Sequence, residues 1–308
     1  MKIMFNRKVV NGPWGGGNLF VKAMSNFLLH KGHEVCFDFE DNIDIIFMVD
    51  PKKTDRTAGY SIDEIIEYGS RFPDTEIIHR INECDQRKGT DFMDLLLVES
   101  NRIADHTIFI SQWLADYFVK KGFNREYDVV YNGCNTNHFY PLEKQLKPSS
   151  PIKLVTHHWS DNWLKGFDLY TELDKQKDHN IEFTYIGRYN DQYSPKNTRY
   201  VQPIHGKELG DELRKHDIYV TASRFEPCGM HHIEGSASGM PVLYHRDGGG
   251  IPELCKKHGV EFKDMDTFFN GLYTIVNRYD DYLSKIDYSY LSEQRMCEEY
   301  YKIIEEYF

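Results

Sequence analysis

The densest run of residues able to do chemistry is Arg224-Phe225-Glu226-Pro227-Cys228-Gly229-Met230-His231-His232-Ile233-Glu234. An apolar run at 218–222 precedes it and predicts a strand, while 230–238 predicts a helix. Glu226 therefore sits just past a strand's C-terminal end, the edge where open α/β sheets bind ligands. Gly229 permits close backbone approach. The peptide N–H groups of Gly229, Met230 and His231 open the helix, a setting that attracts anions by about 0.3–1 kcal/mol at an exposed site. Glu234 lies about a turn inside that helix, so both carboxylates can face one pocket with separate tasks. Singly, Glu226 reads as a loop residue and Glu234 as a first-turn glutamate favoured by the helix dipole. The Pro-Cys-Gly between them and the glycine-rich turn 248–250 after them shift the balance towards function.

A second candidate is Pro13-Trp14-Gly15-Gly16-Gly17-Asn18, between the first predicted strand and the first helix. Three glycines bring backbone close to a ligand, and the helix start again presents free N–H groups. The spacing is not G-x-G-x-x-G. No acidic residue ends the second strand in the usual dinucleotide position, Asp38 and Glu40 being loose candidates. His79, Arg80, Asn82, Glu83 and Asp85 crowd the end of a strand over 76–80, where Arg80, Asn82 and Glu83 are candidates for binding a second substrate. The pairs His157-His158 and His231-His232 invite a metal reading, but consecutive residues on a strand or helix point apart. There is no H-E-x-x-H, and Asp264-Met265-Asp266 reads as a helix cap. The expectation is no catalytic metal and no cofactor.

These residues need elements to position them, and the chain alternates short apolar runs with longer helical patterns, as βα units and parallel sheets do. Strands are expected at 2–6, 34–37, 43–49, 76–80, 107–110 and 129–131, with helices at 19–31, 61–70, 91–104 and 113–121. Ser61-Ile62-Asp63-Glu64 fits a capping box. The polar stretch 141–151, with three prolines, is the best linker. After it come strands at 152–156, 181–186, 218–222 and 241–244, and helices at 166–177, 208–215, 230–238, 266–279 and 291–308. This predicts an N-terminal domain over 1–145, a C-terminal domain over 146–285 and a last helix within 286–308 packing back on the first domain.

Composition narrows the classes. The 308 residues are 40% hydrophobic and 28% charged, enough to bury a core and to exclude wholesale disorder. Acidic residues outnumber basic ones in both halves, for a formal charge of −11, so no basic footprint for nucleic acid exists. Lys52-Lys53 and Lys120-Lys121 are the local basic clusters that could touch an anionic membrane surface. Six scattered cysteines without a C-x-x-C pair suit reduced thiols in a cytosol-like compartment. No apolar run reaches membrane-span length, and residues 1–5 read as a strand rather than a signal peptide. The expected location is cytoplasmic, with weak peripheral contact at the inner face of a membrane.

The Glu226…Glu234 spacing, with the small-residue run Gly235-Ser236-Ala237-Ser238-Gly239-Met240-Pro241-Val242 behind it, resembles the retaining nucleotide-sugar glycosyltransferases of family 4. Asn132-Gly133-Cys134-Asn135-Thr136-Asn137-His138-Phe139 resembles that family's NG-V-D-x-x-x-F segment. Lys165-Gly166-Phe167-Asp168 resembles its KG helix start, and Gly248-Gly249-Gly250-Ile251-Pro252-Glu253 its GG-x-PE loop. The resemblance is strongest from 132 to 253. It implies the GT-B fold, two Rossmann-like doubly wound domains facing each other across a cleft, and transfer of a hexose-type sugar from a UDP- or GDP-sugar to a hydroxyl of a glycan, lipid-linked or other acceptor, without metal.

By the same resemblance Glu226 contacts the donor sugar, Glu234 holds the nucleotide ribose and Lys165 neutralises the diphosphate. Gly15, Gly16 and Gly17 face the diphosphate, Cys228, Gly229, Met230 and His231 line the donor sugar, and His79 stands beside the reacting sugar. One departure stands out: the family's Arg a few residues before this Lys is absent from 156–164. His158, Ser160 or Arg188 would take its place. The rival readings are a non-catalytic nucleotide-sugar binding subunit and a Rossmann NAD-dependent oxidoreductase built on the Gly15–Gly17 turn.

Overall fold

The computed structural model of the chain describes residues 1–12, 15–52, 59–143, 147–176 and 179–308. Pro13, Trp14, Lys53, residues 144–146 of the proline-rich stretch and Lys177 lie outside the described residues. The chain separates into two compact units, 1–132 with 296–308, and 133–295. The stretch 141–151 thus lies inside the second unit.

The first unit holds the strands β1 (Lys2–Phe5), β2 (Glu34–Cys36), β3 (Ile45–Met48), β4 (Glu76–Ile81), β5 (His106–Phe109) and β6 (Asp128–Val129). They form one sheet in the order β2-β1-β3-β4-β5-β6, every pair parallel. Its helices are α1 (Gly15–His30), α2 (Ile62–Arg71), α3 (Asp85–Lys88), α4 (Met93–Ser100) and α5 (Gln112–Lys120). The predicted capping box opens α2, the Ser61 amide donating to the Glu64 carboxylate at 2.8 Å.

The second unit has β7 (Ile152–His158), β8 (Ile181–Gly187), β9 (Arg199–Val201), β10 (Ile218–Thr221), β11 (Val242–His245) and β12 (Gly259–Phe262). Its sheet runs β12-β11-β10-β7-β8-β9, again all parallel. Helices α6 (Phe167–Asp174), α7 (Gly206–Leu213), α8 (Met230–Ala237) and α9 (Ile251–Cys255) connect the strands, and α10 (Met265–Asn277) and α11 (Tyr279–Ser284) follow β12. The last helix, α12 (Glu293–Tyr307), begins in the second unit, and its residues from Met296 onward belong to the first.

Parallel strands covered on both faces read as continuous apolar runs, and β3 shows why. Ile45 and Phe47 pack with Phe5, Phe20 and α12's Tyr300, while Ile46 and Met48 pack on the other face with Ile65 and Tyr68. The Phe5 and Phe47 rings stack with centroids 5.0 Å apart. Burying each such ring contributes about 1.5–3 kcal/mol. The second core joins Leu154, Phe167, Tyr170, Tyr185, Val220 and Leu272.

Two strands were not expected from the pattern. Both β9 and β12 are short and lie at sheet edges, half-exposed, so neither has a continuous apolar run. Helix α1 starts at Gly15, four residues earlier than the apolar periodicity suggests. The six cysteines are buried and none forms a disulfide. Among the described residues no helix is long and apolar enough to cross a membrane.

Candidate functional site

In the second sheet the chain runs outward from β7 to β9 on one side and from β10 to β12 on the other. The β7–β10 pair is therefore its topological switch point, where connections leave in opposite directions and where open α/β sheets bind ligands at the strands' C-terminal ends. The residues singled out from sequence converge there. β7 ends in His157 and His158, β10 feeds the loop carrying Glu226, and α8 carries Glu234. A 3-10 turn over Trp163–Lys165 places Lys165.

Lys165 Nζ stands 2.7 Å from Glu226 Oε2, and both side chains are about nine-tenths buried. Local structure holds them in place. The Arg224 amide donates to the Leu164 carbonyl at 2.9 Å, and the Arg224 guanidinium pairs with Asp168 at 2.6 Å. Gly166 takes φ +98° so close to β10 that a Cβ would meet the Ala222 carbonyl oxygen at 2.5 Å. Phe225 adopts φ +54°, a left-handed conformation costing a non-glycine residue about 1–3 kcal/mol and typical of functional loops. The turn 248–250 is its support. The Phe225 amide donates to Asp247 at 2.7 Å, and the Gly250 amide donates to the Glu226 carbonyl at 2.8 Å. Gly249, at φ +70°, could not carry a Cβ, which would lie 2.6 Å from the Glu226 carbonyl oxygen.

Cys228, Gly229 and His231 are buried around the start of α8, and Met230 is half-buried. His231 Nε2 lies 2.9 Å from Thr221 Oγ1. Burial, with Lys165 nearby, holds the His231 pKa well below its ordinary value. His232 is driven to about 3, chiefly by burial. Both rings stay neutral near pH 7. His158 is buried with Nε2 2.9 Å from Tyr170 Oη, whereas Arg188 is exposed with its guanidinium 3.9 Å from the Trp159 ring centroid. The Arg188 amide donates to the His158 carbonyl at 3.0 Å, which sets it beside the end of β7. Ser160 Oγ accepts from the Asn162 amide at 3.2 Å. The adjacent histidines do point apart: His157 turns to Tyr219 and Glu234, His158 to Tyr170. Among the described residues no three His, Cys, Asp or Glu side chains group to hold a metal ion.

In the first unit the switch point lies between β1 and β3. Gly15, Gly16 and Gly17 open α1 there, and a Cβ added at Gly17 would lie 3.7 Å from Arg7 Nη1 and from Asn82 Nδ2. Arg7 is 3.4 Å from Asp50, and Glu83 pairs with Lys88 at 2.9 Å. Two candidates are placed differently from the expectation. His79 lies within β4 rather than at its end, paired with Met48 and Thr107, fully buried and accepting from Asn101 at 3.0 Å. Burial drives its pKa to about 3. Arg80 is 1% exposed, donating to Tyr300 Oη at 3.0 Å and Asn132 at 2.8 Å beneath the Phe20 ring. Neither surface is open to a substrate, because β4 is a central strand whose both faces are covered. Arg7 and Asp50 went unremarked in the sequence, where nothing but the end of an apolar run marks them.

Two units, each with a six-stranded parallel sheet whose strand order reverses at a switch point, define an α/β protein of the GT-B fold. Residues 167–306 match the family model described as Glycosyl transferases group 1. The chain is 26% identical over 201 residues, 58% of its length, to a probable sucrose-phosphate synthase of Thermosipho melanesiensis. It spans about half of that relative, 47%. Among solved structures it is similar to a sucrose-phosphate synthase from Thermosynechococcus elongatus, with a TM-score of 0.72 at 13% identity over 99% of this chain and 98% of that one. It is similar also to HepE from Anabaena in complex with UDP and glucose, with a TM-score of 0.72 at 15% identity over 99% and 100%. At these identities the likeness establishes the fold.

Proposed function

We propose that the protein is a retaining glycosyltransferase of family-4 type, moving a hexose-type sugar from a UDP- or GDP-sugar to an acceptor hydroxyl. The observation that carries this reading is the buried Lys165–Glu226 pair at the second switch point, beside the start of α8 and with Glu234 on the same helix. Lys165 and the α8 amides supply positive charge where a donor diphosphate would lie. Glu226 then meets the sugar hydroxyls and Glu234 the ribose. Arg188, exposed and braced on Trp159, is the candidate second diphosphate contact in place of the absent arginine. Support also comes from HepE, whose structure contains UDP and glucose.

In the transfer we envisage, the bond from the anomeric carbon to the diphosphate oxygen breaks through an oxocarbenium-like transition state. The acceptor oxygen bonds to the same face of that carbon, and its proton passes to the leaving diphosphate. Lys165 stabilises the charge that builds on the leaving group. With protein cations in that role, the reaction is read as metal-independent. A glycan or lipid-linked molecule is the expected acceptor, met in a cytoplasmic setting or at a membrane's inner face. Double displacement through Glu226 is the less favoured route.

The test is binding and turnover of UDP- and GDP-sugars, with NAD as control. A nucleotide at about 100 times its dissociation constant stabilises the fold by about 2.7 kcal/mol. Stabilisation by one nucleotide class, lost in Glu234→Ala, with transfer abolished in Glu226→Ala and Lys165→Ala, is the expected result. Stabilisation by NAD alone, or by none of these ligands, would refute the reading.

A further inference from the structure

His157 has no part in the motifs above, yet it holds one of their carboxylates. It lies at the switch point, one residue before the end of β7. Its backbone N–H donates to Tyr219 Oη at 3.2 Å, that hydroxyl lies 3.1 Å from His157 Nδ1, and His157 Nε2 lies 2.7 Å from Glu234 Oε2. All three residues are more than nine-tenths buried.

The donors and acceptors fit one assignment. An ionised carboxylate only accepts, so Nε2 carries the ring hydrogen. In the neutral ring Nδ1 then accepts from the Tyr219 hydroxyl, which itself accepts from the His157 amide. The competing acceptor for that hydroxyl, the His157 carbonyl, is farther away at 3.5 Å. The brace is also anchored from behind. The Tyr219 ring packs on Gly235, the residue after Glu234, so closely that a Cβ there would lie 2.9 Å from Cε2. Sheet and helix are thereby tied together at the carboxylate.

We propose that His157 is a positioning residue for Glu234. The Tyr219–His157–Glu234 relay holds Oε2 and fixes the carboxylate's rotation, so that Oε1, outside the relay, is presented to the ribose hydroxyls. His157 therefore sets the preference for ribonucleotides over 2′-deoxynucleotides without touching the nucleotide. This rests on the reading of Glu234 as the ribose contact.

The experiment titrates the full chain with UDP, GDP and their 2′-deoxy counterparts by calorimetry, using whichever base binds. A hydrogen bond from ribose to a charged carboxylate predicts a ribo-to-deoxy preference of about tenfold or more in the wild type. Glu234→Ala abolishes it. His157→Ala reduces it to about threefold or less while affinity for the deoxynucleotide stays within about twofold, because only the hydrogen bond is misaimed. Tyr219→Phe, which removes one hydroxyl and keeps the ring on Gly235, lowers the preference part way. His157→Gln, whose amide can still donate, restores part of it. Loss of the preference in Glu234→Ala with full retention in His157→Ala would overturn the relay while leaving the ribose reading intact. Retention in Glu234→Ala, or no preference in the wild type, would overturn the ribose reading and the relay with it. Should His157→Ala fail to fold, an unchanged preference in both Tyr219→Phe and His157→Gln overturns the relay.

Discussion

Replacing Lys165 by Met and Glu226 by Leu, singly and together, tests whether the 2.7 Å pair is an electrostatic unit buried in the fold. Side-chain exposures of 10% and 11% leave little water to screen it. At that separation and an effective dielectric constant of 20, the gross attraction is about 6 kcal/mol. Desolvating the two ions offsets most of this. Removing one partner leaves the other charge buried and costs about 3–5 kcal/mol, whereas removing both in favour of apolar groups is roughly neutral or mildly stabilising. Urea unfolding of the nucleotide-free protein, followed by fluorescence and circular dichroism, measures the four corners of this cycle. The expected pattern is two strongly destabilised single variants and a double variant close to the wild type, all three inactive in transfer. Single variants within about 0.5 kcal/mol of the wild type, or a double variant equal to the sum of the singles, would refute the reasoning.

Other outcomes follow from the same geometry. Gly249→Ala forces a left-handed residue, costing about 1–2 kcal/mol, and presses a methyl onto the Glu226 backbone; a lowered melting temperature together with lost donor binding is expected. His79 and His232 are held at about 3 against an ordinary 6.5. Below pH 6.5 the unfolded chain takes up protons that the folded chain refuses, so stability falls as pH drops towards 3, by up to about 1.4 kcal/mol per pH unit for each histidine. Urea midpoints between pH 7.5 and 5 should decline less steeply in His79→Gln and in His232→Gln, and slopes parallel to the wild type would contradict this. Arg80→Met removes the bonds to Tyr300 and Asn132 and should cost about 2–4 kcal/mol. Hydrogen exchange should show weakened protection over 296–304, and Arg80→Lys should not rescue it, since an ammonium lacks the guanidinium's planar fork.

Much of the fold was legible because parallel sheets write themselves as buried apolar runs. Runs such as Ile45–Met48 and Ile218–Thr221 are apolar because both faces of each strand are covered. The placement of Glu226 after β10, Glu234 within α8 and Gly249 in a turn was also legible, since turn and helix-start signals are dictated by local chemistry. The edge strands β9 and β12 were not, because an edge needs no continuous apolar run. His79 shows the same limit at one residue: a strand's last position cannot be told from its interior when both faces are buried.

What the sequence determines by itself is local: the alternation of strands and helices, the loop after β10 and the glycines that let backbones approach. What only the tertiary structure decides is pairing at a distance. Lys165 meets Glu226 across 61 positions and His157 meets Glu234 across 77, because the strand order places β7 beside β10. Strand order is set by how the whole sheet buries its two faces, and no short window of sequence carries that information. Burial likewise separates the exposed Arg188 from the enclosed Arg80, two arginines whose neighbouring residues alike read as the end of a strand.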